Sequence, residues 1–201
     1  MQNVRPVKRR PMSTTIKTGM NPTPQPQFEQ PESTGETEIK ALPSWMTAKV
    51  AAPRPYGPIK EIAPGLKVGS YQETAKIVIK PWGHEYWIHN ESAPYNYKLF
   101  IVRKGEETSL MSHRQKIETY FILAGEGVLW YRQDATSPNE TLQFKAGTIV
   151  QIEPGAIHGA IATESDCVIL EATTPDPQSI DVIRHADKAG RSDGFIPSEH
   201  A

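Results

Sequence analysis

Between Lys76 and Thr173 the chain breaks into short runs rich in β-branched and aromatic residues, with turn-forming residues between them. The runs are Lys76–Lys80, Glu85–Asn90, Tyr95–Lys104, Ser109–Ser112, Ile117–Ala124, Gly127–Arg132, Thr141–Phe144, Thr148–Glu153, Gly159–Thr163 and Cys167–Thr173. Ala-Gly-Glu-Gly at 124–127, Thr-Ser-Pro-Asn at 136–139 and Pro-Gly at 154–155 punctuate them. Strands of this length and spacing, many in succession, predict an all-β sandwich or barrel. Several runs are apolar on both faces. In Ile117–Leu123 the even positions carry Glu118, Tyr120 and Ile122, and the odd ones Ile117, Thr119, Phe121 and Leu123. A strand with one face in water alternates more cleanly. One face is therefore expected to line a barrel interior. The other should lie under a second sheet, the preceding extension or another subunit, which makes a homodimer the expected state. After the strands, Ile180, Ile183 and Arg184 in Pro175–Arg191 suggest one short C-terminal helix.

Prolines divide the chain: eleven of the eighteen lie in residues 1–70 and seven in the remainder. Residues 1–28 hold no acid and five basic residues, Arg5, Lys8, Arg9, Arg10 and Lys17. That composition fits the start of a transit peptide, but Pro6, Pro11, Pro22, Pro24 and Pro26 would interrupt the amphipathic helix it needs. A basic tether or a plain tail suits it better. Large apolar residues stay scarce to residue 70, too scarce to offset the entropy of ordering, although parts of Trp45–Ile62 can lie extended along a folded neighbour. The expected organisation is a long, Pro-rich, largely disordered N-terminal tail over 1–70, a barrel domain over 71–191 and a C-terminal tail over 192–201.

Lys and Arg number 22 against 23 Asp and Glu, so the body has no global charge to attract nucleic acid, and none is expected as its partner. No apolar stretch is long enough to span a membrane. The basic start is not followed by the apolar core of a secretory signal. One cysteine, Cys167, excludes an internal disulfide, and its apolar setting marks it as a small buried hydrophobe. A reducing, cytoplasmic setting follows as the default.

The chemistry-bearing residues cluster in two segments. In Gly105–Gly125, His113 ends one strand-like run, Glu118 begins the next, and Gly125 closes it. In Gly147–His158, Pro154 and Gly155 stand just ahead of His158. Neutral imidazole and carboxylate suit a borderline divalent cation, and two His with one Glu leave coordination positions open for water or substrate oxygen. Met111 shares a strand face with His113, because side chains alternate. Its thioether is a poor ligand for such metals. Gln115, on the intervening turn, is a candidate oxygen donor in its place. His84, His89, His185 and His200 lack comparable spacing and are expected to face solvent or join polar networks.

These segments resemble the cupin superfamily, whose motifs run Gly, His-x-His, Glu, Gly and then Gly, Pro, Gly, His. The resemblance implies a double-stranded β-helix barrel, or jelly roll, with His113, Glu118 and His158 facing one divalent metal: zinc first, with iron, manganese or nickel as alternatives. Lys80-Pro-Trp82-Gly-His-Glu-Tyr-Trp87, Tyr97-Lys98-Leu99, Ser109-Leu110 and the closing Asp181-Val-Ile-Arg184-His-Ala-Asp187-Lys-Ala-Gly190-Arg191 resemble the isomerase module of type II mannose-6-phosphate isomerases. That resemblance implies a metal-dependent aldose–ketose isomerase whose partner is a small sugar phosphate. The nucleotidyltransferase domain often preceding such modules is not expected in residues 1–75. On this reading Lys98 and Glu118 are candidate bases, Arg184 and Arg191 a phosphate clamp, and Trp82 a sugar-stacking or packing residue. Met111 keeps a second reading open: a non-enzymatic cupin that binds a carbohydrate or acts as a scaffold, its metal site degenerate.

Overall fold

The computed structural model describes residue 44 and residues 49–88, 94–175 and 181–200, without the side chain of His200. Of the tail expected to be disordered over 1–70, residues 1–43 and 45–48 lie outside them, while Lys60–Ala63 and Leu66–Val68 pair as strands instead. The order is β1 (Lys60–Ala63), β2 (Leu66–Val68), α1 (Tyr71–Thr74), β3 (Lys76–Lys80), β4 (Gly83–Trp87), β5 (Asn96–Val102) and β6 (Leu110–His113). Then come β7 (Glu118–Ala124), β8 (Glu126–Arg132), β9 (Glu140–Lys145), β10 (Ile149–Ile152), β11 (Ile157–Ala162), β12 (Cys167–Thr173), β13 (Val182–Ala186) and α2 (Pro197–His200). Strands β1 and β2 form a separate hairpin, and the remaining strands make two antiparallel sheets. One sheet runs β10-β7-β12-β5-β4-β3, the other β13-β6-β11-β8-β9. Both sheets contribute to one core, in which Phe100, Tyr120, Ile122 and Ile169 meet Leu129, Phe144 and Ala160. This is the jelly-roll barrel of the cupin fold, all-β as the runs predict.

Period-two alternation sorts the side chains. In β12, Cys167 and Ile169 enter the core between the sheets, while Val168 and Leu170 belong to a second apolar cluster on the outer face with Ile77, Tyr86, Leu99 and Ile101. What covers that outer face is the preceding extension. Val50 and Tyr71 pack on it, Arg54 exchanges backbone hydrogen bonds with Ile77 at 3.1 and 2.7 Å, and its guanidinium donates to the Ala75 carbonyl at 2.7 Å. The cover is partial: Tyr97, Phe121 and Ile149 stay exposed on the same face, Phe121 and Ile149 in register.

The β7–β8 turn needs its glycine. Gly125 has φ +81°, and a Cβ there would lie 2.4 Å from the Asp166 carbonyl oxygen, so any side chain meets both strain and backbone. Cys167, beside this turn, is buried as expected, and burial raises its thiol to about 11.

Two further expectations fail. Val182–Ala186 is not helical but strand β13, paired with β6. The helical spacing rests on few residues, and an open sheet edge at β6 offers Val182 and Ile183 a ladder instead, so tertiary context overrides it. The short C-terminal helix is α2, beyond that segment; Ile180 lies outside the described residues. Secondly, His84 is only 2% exposed and its Nε2 has no hydrogen-bond partner. His185 does join a network, 2.9 Å from Ser112 Oγ; His89 and the side chain of His200 lie outside the described residues.

Burial, helped by the nearby Arg103, lowers the His84 imidazole to about 4. Its folded value is therefore below its unfolded one, so the unfolded chain binds a proton that the folded chain refuses between about pH 6.5 and 4. Stability should be fully present above pH 6.5 and fall as pH drops through that window, by about 3 kcal/mol from this group. Urea midpoints of wild type and His84→Leu should diverge in slope there; parallel pH profiles would refute the assignment.

Candidate metal centre

Strand β6 ends on His113 and β7 begins on Glu118, so the 114–117 turn carries the chain from one sheet to the other. Asp181 fastens that turn. Its carboxylate accepts the backbone N–H groups of Arg114, Gln115 and Lys116 at 2.9, 3.0 and 2.9 Å. These donors, though burial opposes them, hold Asp181 below the usual carboxylate range. The third residue, His158, comes with β11, which pairs with β6 so that His158 stands opposite Met111. His113, Glu118 and His158 are all buried, and one donor atom from each lies within 4.8 Å of the others.

The protonation pattern suits a cation. His158 Nδ1 lies 3.0 Å from the Ala156 carbonyl oxygen, which places the proton on Nδ1 and leaves a lone pair on Nε2. That Nε2 is 3.2 Å from Glu118 Oε2, and His113 Nε2 is 3.4 Å from the same oxygen. Burial keeps His113 below its ordinary value, outweighing the pull of Glu118, so it is neutral at pH 7. Burial alone would raise the Glu118 carboxyl, but the Lys116 ammonium holds it well below the usual range. Yet Glu118 Oε2 accepts no hydrogen bond despite being buried. An ionised oxygen with no donor, facing the nitrogen atoms of two histidines, fits a divalent cation. His113, Glu118 and His158 could hold such an ion, with Glu118 binding through one oxygen. Met111 lines the same pocket and offers only its thioether.

Lys116 takes the other oxygen, its Nζ 2.6 Å from Glu118 Oε1. From there opposite charges alternate across the inner face of the six-stranded sheet. Lys116 is 3.9 Å from Glu171, Glu171 is 3.5 Å from Lys98, and Lys80 is 3.5 Å from Glu85. Trp87 joins the two halves, donating from Nε1 to Glu85 at 2.6 Å while Lys98 Nζ sits 4.4 Å from its ring centroid. Burial raises the Glu171 carboxyl above its usual range even though Lys98 and Lys116 oppose it. Glu85 is lowered, because Lys80, Lys98 and the Trp87 hydrogen bond overcome its burial.

At the mouth, Arg191 donates to Asp187 at 2.7 Å, Glu199 at 2.8 Å and Ser109 Oγ at 2.9 Å. Arg184 Nε reaches Ser109 Oγ at 3.3 Å, and its NH1 bonds the carbonyls of Ser192 and Gly194. The space enclosed is about 60 Å³, room for a few waters.

The structure thus brings Lys98, Glu118, His113, Trp82, Arg184 and Arg191 to one pocket, with His158 against Glu118. Trp82 is buried there, 5.8 Å from the Phe100 ring. Gln115 is not brought in: it is exposed on the β6–β7 turn, where only its backbone is engaged. A turn residue flanked by strand-end side chains points outward, and Lys116, next along, occupies the interior. Lys116, Glu171, Lys80, Glu85 and Glu199 are pocket residues that motif spacing misses. Alternation could have found two of them, since Lys116 precedes Glu118 by one strand period and Glu171 follows Ile169 by one.

Comparison with known proteins agrees with this architecture. Residues 98–173 match the cupin domain family. No curated protein matches the sequence. The capsular polysaccharide assembling protein CapF of Staphylococcus aureus is similar in structure at 16% identity and TM-score 0.50, over 56% of this chain and 34% of that one. An oxalate decarboxylase of Lactobacillus farciminis shares 19% identity at TM-score 0.48, over 58% of this chain and 35% of its own. An uncharacterised double-stranded β-helix protein of Klebsiella pneumoniae shares 18% at TM-score 0.43, over 52% and 84% respectively. This chain matches only about a third of the length of the first two, and at such identities the CapF likeness speaks to fold alone. Among the described residues no helix is long and apolar enough to cross a membrane. The fold and the grouping of His113, Glu118 and His158 agree with the match of residues 98–173 to the cupin domain family.

Proposed function

We propose that this chain is a metal-dependent sugar-phosphate isomerase of the mannose-6-phosphate isomerase type, acting in the cytoplasm with zinc as its first-choice metal. The observation that carries the reading is that His113, Glu118, the Lys98–Glu171 pair and the Arg184 and Arg191 side chains line one pocket, with His158 packed against Glu118 behind it. When bound, the metal would polarise the sugar carbonyl and hold the adjacent hydroxyl. His113 Nε2, His158 Nε2 and Glu118 Oε2 are the atoms that would hold it. Lys98 is the base that moves the proton between C2 and C1. Glu171, 3.5 Å away, holds the Lys98 amine in the pocket for that step. Arg184 and Arg191 bind the phosphate, for which planar bidentate donors are suited. Trp82 forms a wall against the sugar.

Elemental mass spectrometry of the protein, purified without added metal, should find about one divalent ion per chain. Mannose 6-phosphate should then be converted to its ketose isomer, and chelation should abolish the turnover. A second reading has its own observations: Met111 faces His158, and Lys116 already neutralises Glu118. These favour a cupin that binds a carbohydrate without turnover, and a chain that neither carries nor takes up metal would establish that reading instead. Under either reading a second copy covers Tyr97, Phe121 and Ile149, forming a homodimer.

A further inference from the structure

Glu199 stands in an unusual place for a carboxylate so near the rim of a pocket. It is 7% exposed, and its two oxygens are split between Lys80 Nζ at 2.7 Å and Arg191 NH1 at 2.8 Å. Both distances are those of charge-assisted hydrogen bonds. Gly194, Phe195 and Ile196, which lead to it, form part of the pocket wall. The segment is anchored at Gly194, whose N–H donates to the Val182 carbonyl at 3.1 Å and whose carbonyl accepts from Arg184, but beyond that anchor α2 is a single turn and Phe195 is 43% exposed. Few buried contacts and one short helix are the marks of a piece that opens locally at small cost.

Charge balance says what opening would require. Around the mouth, the cations Lys80, Arg184 and Arg191 face the anions Glu85, Asp187 and Glu199. Removing Glu199 leaves one buried positive charge without a counter-ion, an expensive state unless another anion enters. About 60 Å³ is open to water inside, and Gly194, Phe195, Ile196 and Glu199 narrow the pocket for a larger ligand.

We propose that Glu199 is the built-in occupant of an anion site formed by Lys80 and Arg191, with Arg184 beside it. A ligand bearing a phosphate or carboxylate group takes that place as residues 194–199 swing out. The inference rests on the functional reading above only in seating the substrate in this pocket.

Inorganic phosphate is the probe, on the full chain. Glu199→Gln removes the competing charge while keeping the side-chain shape, and it should bind phosphate at least tenfold more tightly by calorimetry, since an intramolecular competitor acts at roughly millimolar or higher effective concentration. Arg191→Ala added to it should abolish the gain. Independently of any variant, phosphate added to the wild-type chain should raise amide hydrogen exchange across residues 194–200. Equal affinity of wild type and Glu199→Gln, no phosphate binding by either, or binding that leaves that exchange unchanged would each overturn the proposal. The two readings separate cleanly. Displacement of the segment without turnover of mannose 6-phosphate refutes the isomerase alone, and turnover with no displacement refutes the plug alone.

Discussion

Replacing His158 with alanine should cost the protein its bound metal, leaving less than about a tenth of an equivalent, while circular dichroism still reports a folded β body. The argument is geometric. Glu118 Oε2 is approached by only two nitrogen atoms, those of His113 and His158, and Met111 offers no replacement. Removing one of the three His and Glu donors grouped there among the described residues removes much of the site's affinity. The fold has other supports: His158 lies in β11, whose register with β8 runs from Ile157 to Ala162 and does not depend on that side chain. Metal retained at wild-type stoichiometry by a folded His158→Ala protein would mean that the ion sits elsewhere. Isomerase activity, if the proposal holds, should disappear together with the metal.

Lys116→Met should destabilise the metal-free protein by about 3–5 kcal/mol, the cost of stranding a buried charge. Lys116 is 7% exposed and serves two carboxylates, Glu118 at 2.6 Å and Glu171 at 3.9 Å. Methionine keeps much of the stem's volume, so the loss comes from charge rather than from a cavity. The chelated protein is the proper reference, because a cation bound at Glu118 would compensate part of the loss. Denaturant unfolding of the two chelated proteins decides it. A difference under about 1 kcal/mol, the worth of an exposed pair, would show that Lys116 contributes little there.

The strands were legible because alternation is a local property: β7 reads directly from Glu118, Tyr120 and Ile122 on one face and Thr119 and Phe121 on the other. His113, Glu118 and His158 were legible for a different reason. Their positions at strand ends and turns follow from motif spacing, and the turn pinned by Asp181 realises it. The charge ladder was not legible. Lys98 and Glu171 become neighbours only through the β5–β12 register, and Lys80 meets Glu199 only because α2 folds back onto β3. Pairings between distant segments leave no periodic trace. The β13 segment failed for a related reason, since an edge ladder supplied by β6 decides its state. Gln115 and Lys116 show the limit of composition, which ranks an amide above an ammonium as a ligand without knowing which of two adjacent side chains points inward.

The β6–β7 turn also orders events in time. His113 and Glu118 are near neighbours in the chain, and bringing them together closes a short loop at little entropic cost. His158 comes from far along the chain and reaches them only when β11 docks between β6 and β8. Contacts of such separation carry a larger loop-closure cost. A cation gripped by all three side chains therefore has nothing complete to bind until the barrel has shut. Were such an ion bound, its free energy of association would accrue to the closed jelly roll as a whole, and metal supply would shift how much of the chain is folded.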